Sequence, residues 1–73
     1  MSRVVALGEE RRTQGFALAA AEVAVAEGPE QVRDAWERLP DDVAVLLLTP
    51  MAWSALRDQL DQRPRLLWTV LPG

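Results

Sequence analysis

Glu9 and Glu10 stand directly after a short apolar run, Val4 to Leu7, and just ahead of a small-residue segment around Gly15. Adjacent carboxylates in that setting suit three chemistries: general acid–base work, Mg²⁺ ligation, or a nucleotide-binding βα turn. Each needs further groups, and each fails at a different residue. A dinucleotide turn needs glycines so that backbone can approach a pyrophosphate, yet the turn here reads G-E-E-R-R-T-Q-G, and its two carboxylates repel phosphate. A phospho-receiver needs an acceptor aspartate at the end of the third strand, where Leu48 and Thr49 stand, and a partner lysine, of which the chain has none. Acid–base work needs two acids converging on one pocket, but adjacent glutamates point apart, and Asp41 and Asp42 fall at the opposite end of the third strand. Ser54 and Thr49 have no His or Lys to activate them. The plain reading of these acids is solvated turn residues, and no catalytic, cofactor-binding or metal-binding residue is assigned.

The composition narrows the choice further. Cys and His are absent, which removes disulfides, structural zinc and imidazole chemistry. All eight cations are Arg against eleven acids, a net charge of −3, so no basic stripe offers itself to nucleic acid. At 73 residues the chain is one domain spanning 1–73, and such a domain buries only roughly 60% of its unfolded surface. An unusually good core or a partner must supply the difference. No apolar run reaches the roughly 18 residues of a membrane span, and MSRVVAL lacks the pattern of a signal peptide, which makes the cytoplasm the expected location.

The elements that would position any site alternate regularly. Val4 to Leu7 reads as a strand, and Thr13 to Ala20 as a helix with Thr13 as N-cap and Phe16, Ala19 and Ala20 on one face. Glu22 to Ala26 is a short mixed strand. Pro29 opens a second helix in which Val32, Ala35, Trp36 and Leu39 share a face, and Pro40 stops it. Val43 to Leu48 is continuously apolar, as in a strand covered on both faces. Thr49 and Pro50 restart a helix carrying Trp53, Leu56 and Leu60, and Leu66 to Leu71 forms a last strand after Arg63-Pro64-Arg65. The order βαβαβαβ predicts an α/β, three-layer, Rossmann-like or receiver-like fold. Its four-stranded parallel sheet takes the order 2-1-3-4, with the topological switch between strands 1 and 3. An unguarded edge on the last strand is open to pairing with another copy.

Trp36 reads as core, and Trp68 as cover for the open sheet edge. Trp53 with Arg57 one turn later forms a candidate partner-facing patch, to which Arg65 is added; the alternative for Trp53 is the periphery of the core.

The segment T-Q-G-F-A-L-A-A-A-E-V, from Thr13 to Val23, resembles T-x-x-G-F-x-L-A-G-x-E of the F subunit of the V-type (archaeal/bacterial A/V-type) ATPase. The later order D-D-V-A-V-L-L-L-T, a helix, and a strand closing in L-P-G agrees, so the resemblance spans nearly the whole chain. It marks Thr13, Gly15, Phe16 and Leu18 as structural motif positions, with Gly15 a close-packing site and Phe16 anchoring the first helix to the sheet. Ala20 departs from the family's usual glycine, and the family continues past P-G into a C-terminal helix, whereas this sequence ends at Gly73. The resemblance implies a non-catalytic central-stalk rotor subunit without cofactors. Its partners would be the coiled-coil D subunit of the shaft and other rotor subunits, with no nucleic acid, and it would meet the membrane only through the complex. Without the C-terminal helix the fold is expected to persist with weaker shaft binding and regulation. A receiver-like interaction module that is not phosphorylated is the alternative.

Overall fold

The structure, a computed structural model, describes residues 3–19 and 22–72. Strands β1 (Arg3–Gly8), β2 (Glu22–Val25), β3 (Val43–Leu48) and β4 (Leu67–Val70) form one parallel sheet in the order β2-β1-β3-β4. This is the expected architecture. Alternation of apolar runs with helical patterns leaves few other arrangements once crossovers must be right-handed.

Three helices carry the crossovers: α1 (Glu10–Thr13), α2 (Pro29–Arg38) and α3 (Pro50–Leu56). Helices α2 and α3 pack together on one face of the sheet. They bury Val32, Trp36, Ala52 and Leu56 against Val5, Leu7, Leu46 and Leu48. Helix α2 opens at Gly28 with Pro29 in the first turn and ends at Leu39, as its pattern predicts. Its last carbonyls do not go unpaired: the Arg63 guanidinium donates to the backbone oxygens of Trp36 and Leu39, each at 2.9 Å, and stacks on the Trp36 ring 4.8 Å from its centroid. A cation at a helix C-terminus is favoured by the helix dipole as well as by these bonds. Helix α3 is capped by Thr49, whose hydroxyl oxygen accepts the Ala52 N–H at 3.3 Å. Leu60 lies beyond α3, in a 3-10 turn over Leu60–Gln62, and is buried there.

The first crossover differs from expectation. Helix α1 starts three residues earlier than the sequence suggests, and a 3-10 helix over Gln14–Ala19 follows it. Thr13 is therefore not an N-cap. It ends α1, fully buried, with both its N–H and its hydroxyl bonded to the Glu9 carbonyl at 3.0 Å. Glu10 at the first helical position suits the positive end of the helix, and Arg11 and Arg12 are good helix formers. This crossover must carry the chain back along the sheet to an adjacent strand within residues 9–21, close to the shortest workable length. A 3-10 winding rises about 2.0 Å per residue against about 1.5 Å in an α-helix, so it covers that distance with fewer residues. Ala20, where the sequence departs from the family pattern, lies outside the described residues.

The sheet is not covered equally. Paired residues of neighbouring parallel strands share a face, so the register places Val5, Leu46 and Trp68 in one row and Leu7, Leu48 and Val70 in the next, under α2 and α3. On the other face, Val4, Val45 and Leu67 form a row, followed by Ala6, Leu47 and Thr69. The α1 segment and its 3-10 extension pack on β1 and β2. Val45 and Leu47 are consequently only half-buried, and Leu67 is 68% exposed. Among the described residues β3 is thus only partly covered on this face.

Candidate functional site

A doubly wound sheet of this order would hold a ligand at the C-terminal ends of β1 and β3, where successive connections leave on opposite faces. Here that crevice is filled from within. Gly8 ends β1 with φ +155°, and a Cβ built on it would lie 2.2 Å from Thr49 Cγ2 and 2.3 Å from Thr49 Oγ1. Thr49, fully buried, bonds through its N–H to the Leu7 carbonyl at 3.2 Å and thereby sits directly over the glycine.

The Thr49 hydroxyl donates to Glu9 Oε1 at 2.6 Å while its oxygen accepts from Ala52, so one side chain ties the first turn to the start of α3. The other Glu9 oxygen lies 3.7 Å from Arg12 Nε. The Thr49 hydroxyl, then the backbone N–H of Glu9 and the Arg12 charge, hold the Glu9 carboxyl below its usual range against the opposing effect of burial. An anionic carboxylate already occupied by a hydroxyl is neither a poised general acid nor a welcome neighbour for phosphate. The two glutamates part as adjacent residues should: Glu9 turns inward, and exposed Glu10 donates its N–H to Glu27 Oε2 at 3.0 Å. Glu27 in turn donates its N–H to Gln31 Oε1 at 2.8 Å.

Among the described residues, three concavities lie outside this crevice. One of about 420 Å³ lies beside the first turn, lined by Glu9, Arg11, Arg12 and Glu27, with both signs of charge. Another of about 470 Å³ runs between β2 and α2, where Arg3 is ion-paired with Glu22 and with Asp42, the latter at 3.2 Å. The third, about 280 Å³, lies at the N-terminal ends of β3 and β4 between Pro40, Asp41, Arg63 and Arg65. Among the described residues no group of three or more His, Cys, Asp or Glu side chains gathers at any of them, and no helix is long and apolar enough to cross a membrane.

The residues singled out in the sequence are distributed as follows. Trp53 is half-buried against the core, and the Arg57 guanidinium stacks on it at 5.2 Å from the ring centroid. Arg65 is exposed and lines the cavity at the N-terminal strand ends instead. Trp36 is core, as expected. Gly15 is exposed, and a Cβ there would meet nothing within 4 Å, so it is not a close-packing position. Phe16 is half-buried and outside the core cluster, so it does not anchor the crossover as a core residue would; Leu18 lies in the 3-10 segment. The close-packing glycine is Gly8, which the sequence presents only as the end of a strand. Arg63 is equally hidden in the sequence, since nothing local links it to a helix end 24 residues away.

The chain is a small doubly wound α/β domain whose switch point is closed by its own side chains. Residues 4–72 match the family model of the ATP synthase (F/14-kDa) subunit, and the chain belongs to that family. The resemblance read from Thr13 to Val23 and from the closing L-P-G thus holds over almost the whole sequence, and the chain is an accessory component of a V/A-type ATP synthase. No curated protein matches it.

Proposed function

We propose that this protein is a non-catalytic part of the central rotor stalk, binding the coiled-coil D subunit of the shaft and helping to couple torque and regulate ATP hydrolysis and synthesis. The family match across residues 4–72 carries the reading. The closed switch point supports it, because the crevice that would serve chemistry is used to lock the first turn onto α3. A rotor part works mechanically: it transmits force through an interface backed by a close-packed interior, which deforms little. Trp53 with Arg57 is the proposed contact patch and Arg65 a peripheral contact, an aromatic–arginine pair being a frequent anchor at protein interfaces. In this reading the protein sits on the cytoplasmic side, peripheral to the membrane through the complex.

Co-migration of the chain with the coiled-coil shaft protein on size exclusion tests the proposal. A stable complex is expected, with Trp53→Ala weakening it about tenfold or more. Absence of any complex, or saturable micromolar binding of ATP or NADH by the chain alone, would overturn it in favour of a free-standing module or an enzyme.

A further inference from the structure

The two edges of the sheet are built differently. At the β2 edge, Glu22 brings a charge paired with Arg3, and the 3-10 segment packs against the strand. Such features protect an edge from foreign strands. Among the described residues the β4 edge has no such guard. Leu67-Trp68-Thr69-Val70 carries no charge, no proline and no register shift against β3, and all four residues are exposed, Trp68 by 43% and Val70 by 38%.

The backbone direction of this edge follows from one hydrogen bond. Leu71 donates its N–H to the Leu48 carbonyl at 2.7 Å, so Leu71, Thr69 and Leu67 turn their backbone groups toward β3. By alternation Trp68 and Val70 direct their N–H and C=O groups away from the sheet. We propose that β4 is a self-association edge: two copies pair antiparallel along β4 about a two-fold axis through Thr69, joining their sheets into one. This goes beyond the stalk reading and does not depend on it.

The register is set by which groups point outward and by which face each side chain occupies. With Thr69 on the axis, Trp68 meets Val70 of the second copy as a hydrogen-bonded pair, and the symmetric pair repeats the exchange. Thr69 faces Thr69 of the second copy, and Leu67 faces Leu71 of the second copy on the half-open face. Aromatic with β-branched, threonine with threonine and leucine with leucine are all favourable cross-strand pairs. Pro72 follows at the next outward-directed position, and its missing N–H ends the ladder there. A second copy is the favoured occupant because an uncharged strand is matched by itself, with no charge left to desolvate. The guarded β2 edges then stop growth at two chains, a closed isologous dimer. So short a ladder buries less than a standard interface of about 1,600 Å², which places half-association at roughly 0.1–1 mM.

The absence of native cysteine allows a direct test. Directly opposed residues of a non-hydrogen-bonded antiparallel pair lie about 4.5 Å apart at Cα, within disulfide reach. Under mild oxidation at high concentration, Thr69→Cys is expected to form a covalent dimer at least ten times faster than Trp68→Cys or Asp58→Cys. Sedimentation equilibrium up to millimolar concentration is expected to show a monomer–dimer equilibrium. Val70→Pro, which removes an outward N–H, and Thr69→Lys, which sets like charges on the axis, should each weaken it at least tenfold with circular dichroism unchanged. If Val70→Pro unfolds the chain, Thr69→Lys alone decides. A wild-type chain that stays monomeric to 1 mM, dimers that survive Thr69→Lys, or equal cross-linking rates at the three cysteines would each overturn the proposal.

Discussion

The crest between β1 and β3 and the outer edge of β4 are opposites. At the crest, Thr49 fills the space above Gly8, and its hydroxyl and N–H are both bonded within the chain. At β4, apolar side chains and unpaired backbone groups face outward. The contrast separates rigidity from contact. The place where related topologies hold ligands serves here to fasten two connections together, while exposed apolar groups lie at the outer strand. The proposed stalk role would call for that division, since an interface transmits force only as well as the body behind it resists deformation.

Gly8 is the position where the crest is most sensitive to substitution. Gly8→Ala places a methyl group 2.2 Å from a buried, β-branched side chain at a φ that L-residues rarely adopt. A loss of about 3 kcal/mol or more is expected by urea denaturation, a large part of the stability of a domain of this size. Gly15→Ala is the control: its Cβ enters open space, and the expected change is neutral or up to about 1 kcal/mol stabilising. Equal costs at the two glycines would refute the close-approach account of the crest.

Arg63→Ala comes next. It frees the Leu39 carbonyl, removes one of the two donors to the Trp36 carbonyl and uncovers the Trp36 ring, with an expected loss of about 2 kcal/mol and a change in Trp36 fluorescence. Thr49→Val keeps the volume over Gly8 but loses the cap of α3 and the bond to Glu9, and should cost about 1–2 kcal/mol by the same measurement. The β4 edge is expected to ignore both changes, so its dimerisation should be unaltered wherever the chain remains folded.

The smallest effect is in pH. Because the folded chain holds the Glu9 carboxyl below its unfolded value, the Glu9 contribution is fully present above the ordinary glutamate range. It is lost as pH falls through the depressed value, where the folded state must also take up the proton. Stability should therefore decline on acidification, and Glu9→Gln should flatten that limb of the profile. In Thr49→Val, the Glu9 carboxyl followed by NMR should titrate at higher pH than in the wild type, since its leading stabilising partner is gone.

Several features are legible in the residues because they are local. Apolar runs and helical spacing predict the alternation of strands and helices, Thr49-Pro50 predicts the start of α3, and Gly28-Pro29 with Pro40 predicts the limits of α2. The strand order follows from contrast among strands, β2 being short and mixed and β1 continuously apolar. The first crossover departs from its pattern because the spacing of Phe16, Ala19 and Ala20 in the sequence fits a helix that the geometry of the connection overrides. The candidate site is legible only as an absence: the missing lysine, acceptor aspartate and glycines argue against phosphate chemistry, but nothing in the order of residues shows what fills the crevice.

By itself, then, the sequence determined the class of fold, the family and the lack of nucleotide-site groups, because each is carried by residue types and short spacings. Only the tertiary structure decided that Gly8 and Thr49 close the switch point, that Arg63 caps α2, and that the face over β3 and the edge at β4 stay open. Those outcomes depend on distances between segments remote in the chain. Such distances are set by crossover length and sheet register, quantities that no local pattern encodes.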